Sequence, residues 1–87
     1  MKVKLNTGLQ ARPAYELVNV SQKYSSDVYI QVDNRKINCK SIMGVMSLGL
    51  APNVAINLIV DGYDEESLLD ELTTRFFKDE DSTISRI

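Results

Sequence analysis

Two hydrophobic periodicities alternate along this chain, and their order leaves few folds open. "KVKL" puts Val3 and Leu5 on one face of a short strand. Residues 11–24 then repeat at helical spacing, with Ala14, Leu17, Val18, Ser21 and Tyr24 as the inward stripe. Pro13 in the first turn costs that helix little, because its missing N–H has no intrahelical partner there. "DVYIQV" alternates again, with Val28, Ile30 and Val32 on one side, and "DN" turns it into "RKINC", where Ile37 and Cys39 face inward. "SIMGVMSLGL" reads as a short helix capped by Ser41 and closed near Gly49. A further strand carries Val54, Ile56, Leu58 and Val60. Gly62 turns the chain, and Asp64 caps a last helix with Leu68, Leu69, Leu72 and Phe76 on one face. Glu65 and Glu66 in its first turn, and Arg75 and Lys78 in its last, complement the helix dipole.

The order is β-α-β-β-α-β-α. Strands with one apolar and one polar face require cover on one side only. The expected fold is therefore α+β, a two-layer open-faced β-sandwich with a four-stranded antiparallel sheet and three helices on one face. At 87 residues it is expected to be a single domain over 1–87, with the polar tail 79–87 frayed. A net charge of −2 lacks the footprint of a nucleic-acid binder, and Arg35, Lys36 and Lys40 are too few to read a duplex. The sequence contains no apolar run of membrane-spanning length and no signal-peptide pattern, so the expectation is a cytoplasmic protein with no membrane contact. Cys39 is the sole cysteine and is read as a buried strand thiol.

Fold class does not assign function; two stretches of sequence do more. In "TGLQARPA" a turn runs into a helix start with Arg12 and backbone N–H groups placed as for an anion, yet the central residue is Gln10. An amide nitrogen has its lone pair delocalised into the carbonyl and makes no phosphoryl adduct of the kind a neutral imidazole makes. Gln10 is therefore read as a polar capping and contact residue. In "KSIMGVMSLGL", Ser41 is an N-cap hydroxyl, and the helix behind it is apolar nearly all round. Val45 can fill the core, which leaves Ile42, Met43 and Met46 as exposed contributors to a soft patch suited to a protein partner.

These two motifs, in this element order, resemble the HPr family of sugar phosphotransferase phosphocarriers over the chain up to about Phe77. There the loop carries a histidine that receives and passes on a phosphoryl group. Gln10 stands in its place and histidine is absent from the whole sequence, a departure that matches the Crh (catabolite repression HPr) subgroup. The resemblance implies that Gln10 and Arg12 are a degenerate phosphocarrier site and that Ser41 is phosphorylated by HPr kinase/phosphorylase. It further implies that the phosphorylated form is corepressor to the LacI-type catabolite control protein, with Gln10, Arg12, Tyr15, Val18, Ser41, Ile42, Met43 and Met46 on the contact surface. Tyr15 stands where the family has a small residue, and "APN" at 51–53 replaces a glycine-containing turn.

The residues themselves leave a second possibility open, a constitutive binding module that modulates a metabolic enzyme and uses Ser41 only as a cap. No catalytic constellation can be assembled, so no enzyme activity and no cofactor are expected. Asp64, Glu65, Glu66, Asp70 and Glu71 read as a solvated acidic face rather than a metal site. Ser47, late in its helix, is a poorer phosphate acceptor than Ser41. A short first strand and an exposed apolar helix admit either a monomer or a homodimer by strand exchange.

Overall fold

A computed structural model of the protein describes residues 2–5, 11–49 and 54–79. The elements are β1 (Lys2–Leu5), α1 (Ala11–Gln22), β2 (Asp27–Val32), β3 (Arg35–Asn38), α2 (Ile42–Leu48), β4 (Ala55–Asp61), α3 (Glu65–Arg75) and β5 (Phe77–Asp79). The strands form one antiparallel sheet in the order β3-β2-β4-β1-β5, the four expected strands with a short fifth at one edge. The β2–β3 connection is a two-residue hairpin loop, with Asp33 in the left-handed region at φ 54°. Asp tolerates that region because its short polar side chain bonds locally.

Alternation decides which face of the sheet is covered. Val3 and Leu5 of β1, Val28 and Ile30 of β2, and Ile56 and Leu58 of β4 are all buried on the helix side. From above they meet Ala14, Leu17 and Val18 of α1, Val45 of α2, and Leu68 and Leu72 of α3. Each such valine, leucine or isoleucine contributes roughly 1.5–3 kcal/mol by leaving water. Lys2, Asp27, Lys36 and Asp61 lie on exposed strand positions. The α+β two-layer arrangement is the expected one.

The last helix and the residues after it differ from the sequence expectation. α3 ends at Arg75, where the Phe76 N–H still donates to Leu72 O at 2.8 Å. The next three residues form the fifth strand against β1, pairing Leu5 with Phe77, Lys4 with Lys78 and Val3 with Asp79. Lys78 thus belongs to a strand, not to the helix end. Asp79, expected in the frayed tail, is paired; 80–87 lie outside the described residues. Burial explains the break. Phe77 is fully buried, and a helix continued through it would not place the ring in the core beside Leu5.

The acidic face is also more than solvated surface. Asp64 sits at the N-cap of α3, but its side chain makes no bond to its own helix. Its carboxylate instead accepts the Ser25 and Ser26 N–H groups, each at 2.9 Å, and the Ser26 hydroxyl. These bonds hold its carboxyl below the usual range, with the Ser26 hydroxyl the leading cause. Glu71 accepts from the Tyr24 hydroxyl at 2.6 Å and pairs with Lys23 and Arg75, both at 3.1 Å. Tyr24 thus stands beyond the end of α1, in the turn, and half-buried rather than on the helix stripe.

A pH dependence results. The Tyr24 hydroxyl first, then Lys23 and Arg75, lower the Glu71 carboxyl from 4.5 to about 2. A carboxyl depressed on folding contributes stability above its unfolded value and loses it as pH falls toward the folded value. The contribution should therefore fade between pH 4.5 and about 2. Tyr24→Phe removes the leading cause, so its urea midpoint should drop less than the parent's between roughly pH 7 and pH 2.5. An equal drop in the two proteins would contradict this assignment.

Candidate docking and modification site around Ser41

The chain reverses between β3 and α2 through a turn organised by Asn38. Its side-chain oxygen accepts the Lys40 N–H at 2.8 Å and its carbonyl accepts the Ser41 N–H at 3.1 Å. Ser41 is then extended, at φ −110° and ψ 113°, with its Oγ accepting the Gly44 N–H at 3.1 Å. Its carbonyl accepts the first intrahelical bond, from the Val45 N–H at 3.0 Å. The Oγ bond satisfies one of the amides that a helix start leaves without a partner, worth about 1 kcal/mol. Ser41 remains exposed. Lys40 is not aimed at it: the ammonium donates to Tyr24 O at 2.8 Å, and Gln22 Nε2 donates to Lys40 O at 3.1 Å, stitching this turn to the end of α1. Cys39, just before Lys40, is fully buried, and burial pushes its thiol up to about 12.

The two turns of α2 are held from below and at the far end. Val45 is the buried anchor. Gly44 lies so close to β3 that a Cβ there would come within 3.0 Å of Ile37 Cγ2. At the C-terminus Gly49 is left-handed at φ 56° and its N–H bonds Met46 O at 3.2 Å. Arg35 of β3 donates to Ser47 Oγ at 2.9 Å, while Ser47 Oγ donates to Gly44 O at 2.6 Å. With those faces engaged, Met43 and Met46, three residues apart, point outward at 80% and 46% exposure. Ile42, expected among the exposed contributors, is only half-exposed, because its side chain also packs on the core.

Across from α2, Arg12 is exposed in the first turn of α1 and Tyr15 is 61% exposed. Val18 is different. At 4% exposure it belongs to the core with Ala14 and Leu17, so the sheet-facing stripe of α1 takes it away from any contact surface. Gln10 and the loop before α1, and the 51–53 turn, lie outside the described residues. The Lys40–Tyr24 and Arg35–Ser47 links are not legible in the sequence, because their partners stand 16 and 12 residues apart. No local periodicity joins such positions.

Chemically, the site offers an exposed serine on a hydrogen-bonded turn beside two exposed methionines. Among the described residues no group of three or more His, Cys, Asp or Glu is placed to hold a metal ion. None of their helices is long and apolar enough to cross a membrane.

A family profile described as the PTS HPr component phosphorylation site matches residues 1–78. The chain is 44% identical over 72 residues to the HPr-like protein Crh of Bacillus subtilis, covering 83% of this chain and 85% of that one. It superposes on the phosphocarrier protein HPr of Bacillus anthracis with a TM-score of 0.79 at 36% identity, over 85% of this chain and 90% of that one. The crystal structure of Bacillus subtilis Crh, described as an intertwined dimer with a swapped domain, superposes with a TM-score of 0.71 at 44% identity, over 80% of each chain.

Proposed function

Because the chain belongs to the HPr family, we propose that it is a phosphoserine-switched regulatory member of that family, not a phosphocarrier. Ser41 is modified by HPr kinase/phosphorylase, and the modified protein acts as corepressor of the LacI-type catabolite control protein. The observation that carries this reading is the exposed Ser41 hydroxyl at the head of a helix whose outer face is Met43 and Met46. A phosphate there adds about −1.5 to −2 charge at the positive end of a pre-formed helix. It writes a new charge beside an apolar patch, and refolding is not required. The proposed contact surface also takes in Gln10, Arg12 and Tyr15, as the resemblance implies; Arg12 and Tyr15 are exposed on α1. The proposed setting is the cytoplasm, with no enzyme activity of its own and no direct contact with DNA. The swapped dimer described for Crh makes a homodimer a proposal for this chain alongside the monomer.

Two mass measurements test the two halves of this reading. Incubation with HPr kinase/phosphorylase and ATP should add one phosphate to the protein and none to Ser41→Ala. No modification under conditions that modify an HPr control would leave Ser41 as a helix cap alone. Incubation with phosphoenolpyruvate and enzyme I of the phosphotransferase system should leave the mass unchanged, since the sequence offers no imidazole. A stoichiometric acid-labile adduct would contradict that, whereas acceptance by Gln10→His would show that the old site survives as geometry.

A further inference from the structure

Sulfur chemistry on this protein is sorted by burial. Its only cysteine, Cys39, has no exposed surface, and a thiol held neutral inside the core is a poor nucleophile. Its methionines are Met1, which lies outside the described residues, and the pair on α2. Met43 is 80% exposed as a residue, and Met46, at 46%, stands one turn further on. Beneath them Val45 fixes the helix in the core, and Ser41 Oγ caps it through the Gly44 N–H. Neither of those contacts involves a methionine side chain. A change of polarity on Met43 or Met46 therefore alters the surface beside Ser41 and leaves its support intact.

We infer that Met43, with Met46 as its neighbour, is an oxidation site through which a hydroperoxide weakens docking at the Ser41 face. This rests on the docking role proposed for that face. In the step, a lone pair on the Met43 thioether sulfur attacks one oxygen of hydrogen peroxide. The O–O bond breaks, an S–O bond forms, the proton on the transferred oxygen moves to the departing one, and water leaves. Sulfur is oxidised by two electrons and the peroxide is reduced by two. The product, a sulfoxide, is polar and chiral where the thioether was apolar and flexible, and a sulfoxide reductase can return it. An interface that buries Met43 then has to desolvate a strong dipole in place of an apolar group.

The test uses the full-length protein phosphorylated on Ser41, treated with hydrogen peroxide and followed by peptide mapping. Met43 should gain one oxygen at a rate within about threefold of its rate in the urea-unfolded protein, as its exposure requires. Calorimetric titration with the catabolite control protein should show binding about tenfold weaker after oxidation, equivalent to ~1.4 kcal/mol. The double variant Met43→Leu, Met46→Leu keeps side-chain volume, and its binding should be indifferent to peroxide. Protection of Met43 in the folded protein, or equal affinity before and after its oxidation, would overturn the inference. Failure of the untreated phosphorylated protein to bind overturns the docking role instead, and the regulatory consequence with it; that result is visible before any oxidant is added.

Discussion

Gly62→Ala should destabilise the protein by about 4 kcal/mol or more, a large share of what a domain of this size possesses. Gly62 connects β4 to α3 at φ 154°, a conformation open essentially to glycine alone and costing other residues about 1–3 kcal/mol. A Cβ added there would lie 2.6 Å from Ser26 Cα, and that backbone cannot retreat. Ser26 is 1% exposed, and its N–H is fixed to the Asp64 carboxylate at 2.9 Å. Clash and strain therefore act together at the point where β2 and α3 are tied. Gly49→Ala is the control. Gly49 is also left-handed, at φ 56°, but among the described residues no atom lies within 4 Å of where its Cβ would stand. Its cost should be the backbone term only, about 1 kcal/mol. With a urea slope of about 1 kcal/mol/M, the two midpoints should differ by roughly 3 M. Similar midpoints for the two variants would contradict the close-approach argument.

Phosphorylation of Ser41 should tighten binding to the catabolite control protein by ten- to a hundredfold. The phosphate brings charge-assisted hydrogen bonds to basic groups of the partner, each typically ~1.5–3 kcal/mol. Two of them, after desolvation, leave a gain of that order, since each ~1.4 kcal/mol is tenfold. Within the protein itself the adjacent cation does not compete, because the Lys40 ammonium is bonded to Tyr24 O. Ser41→Ala should lose the modification and the regulated binding yet stay folded, weakened by about 1 kcal/mol through the lost bond to the Gly44 N–H. Ser41→Asp should cap the helix but reproduce the switch poorly, having less charge and fewer acceptor oxygens than a phosphate. Met43→Ala and Met46→Ala should weaken binding of the phosphorylated form while leaving phosphorylation intact.

Much of this arrangement is legible in the sequence wherever the signal is local. Ser41 and Gly49 bound α2 as their cap chemistry predicts, and Val45 is its buried anchor. Val3, Leu5, Val28, Ile30, Ile56 and Leu58 face the helices as strand alternation requires. The misses share one cause, which is that tertiary contact overrode a local preference. Phe77 ends a helix-like run because it packs below α3 and pairs with Leu5. Asp64 leaves its own helix uncapped by its side chain because the Ser25–Ser26 turn offers it better donors. Tyr24 has helical spacing, but α1 stops at Gln22 and its hydroxyl reaches Glu71. At the site, Ser41 and the two exposed methionines could be chosen from cap chemistry and excess apolarity. Burial of Val18 needed the packing of the whole layer.

Under the proposed function, one phosphate on Ser41 turns this surface on. This switch is tested most directly by titrating the catabolite control protein, in a calorimeter at matched salt, with the unmodified and the Ser41-phosphorylated protein. The phosphorylated form should have a dissociation constant ten to a hundred times lower, following the ~1.4 kcal/mol per decade relation. Equal affinities for the two forms would contradict it.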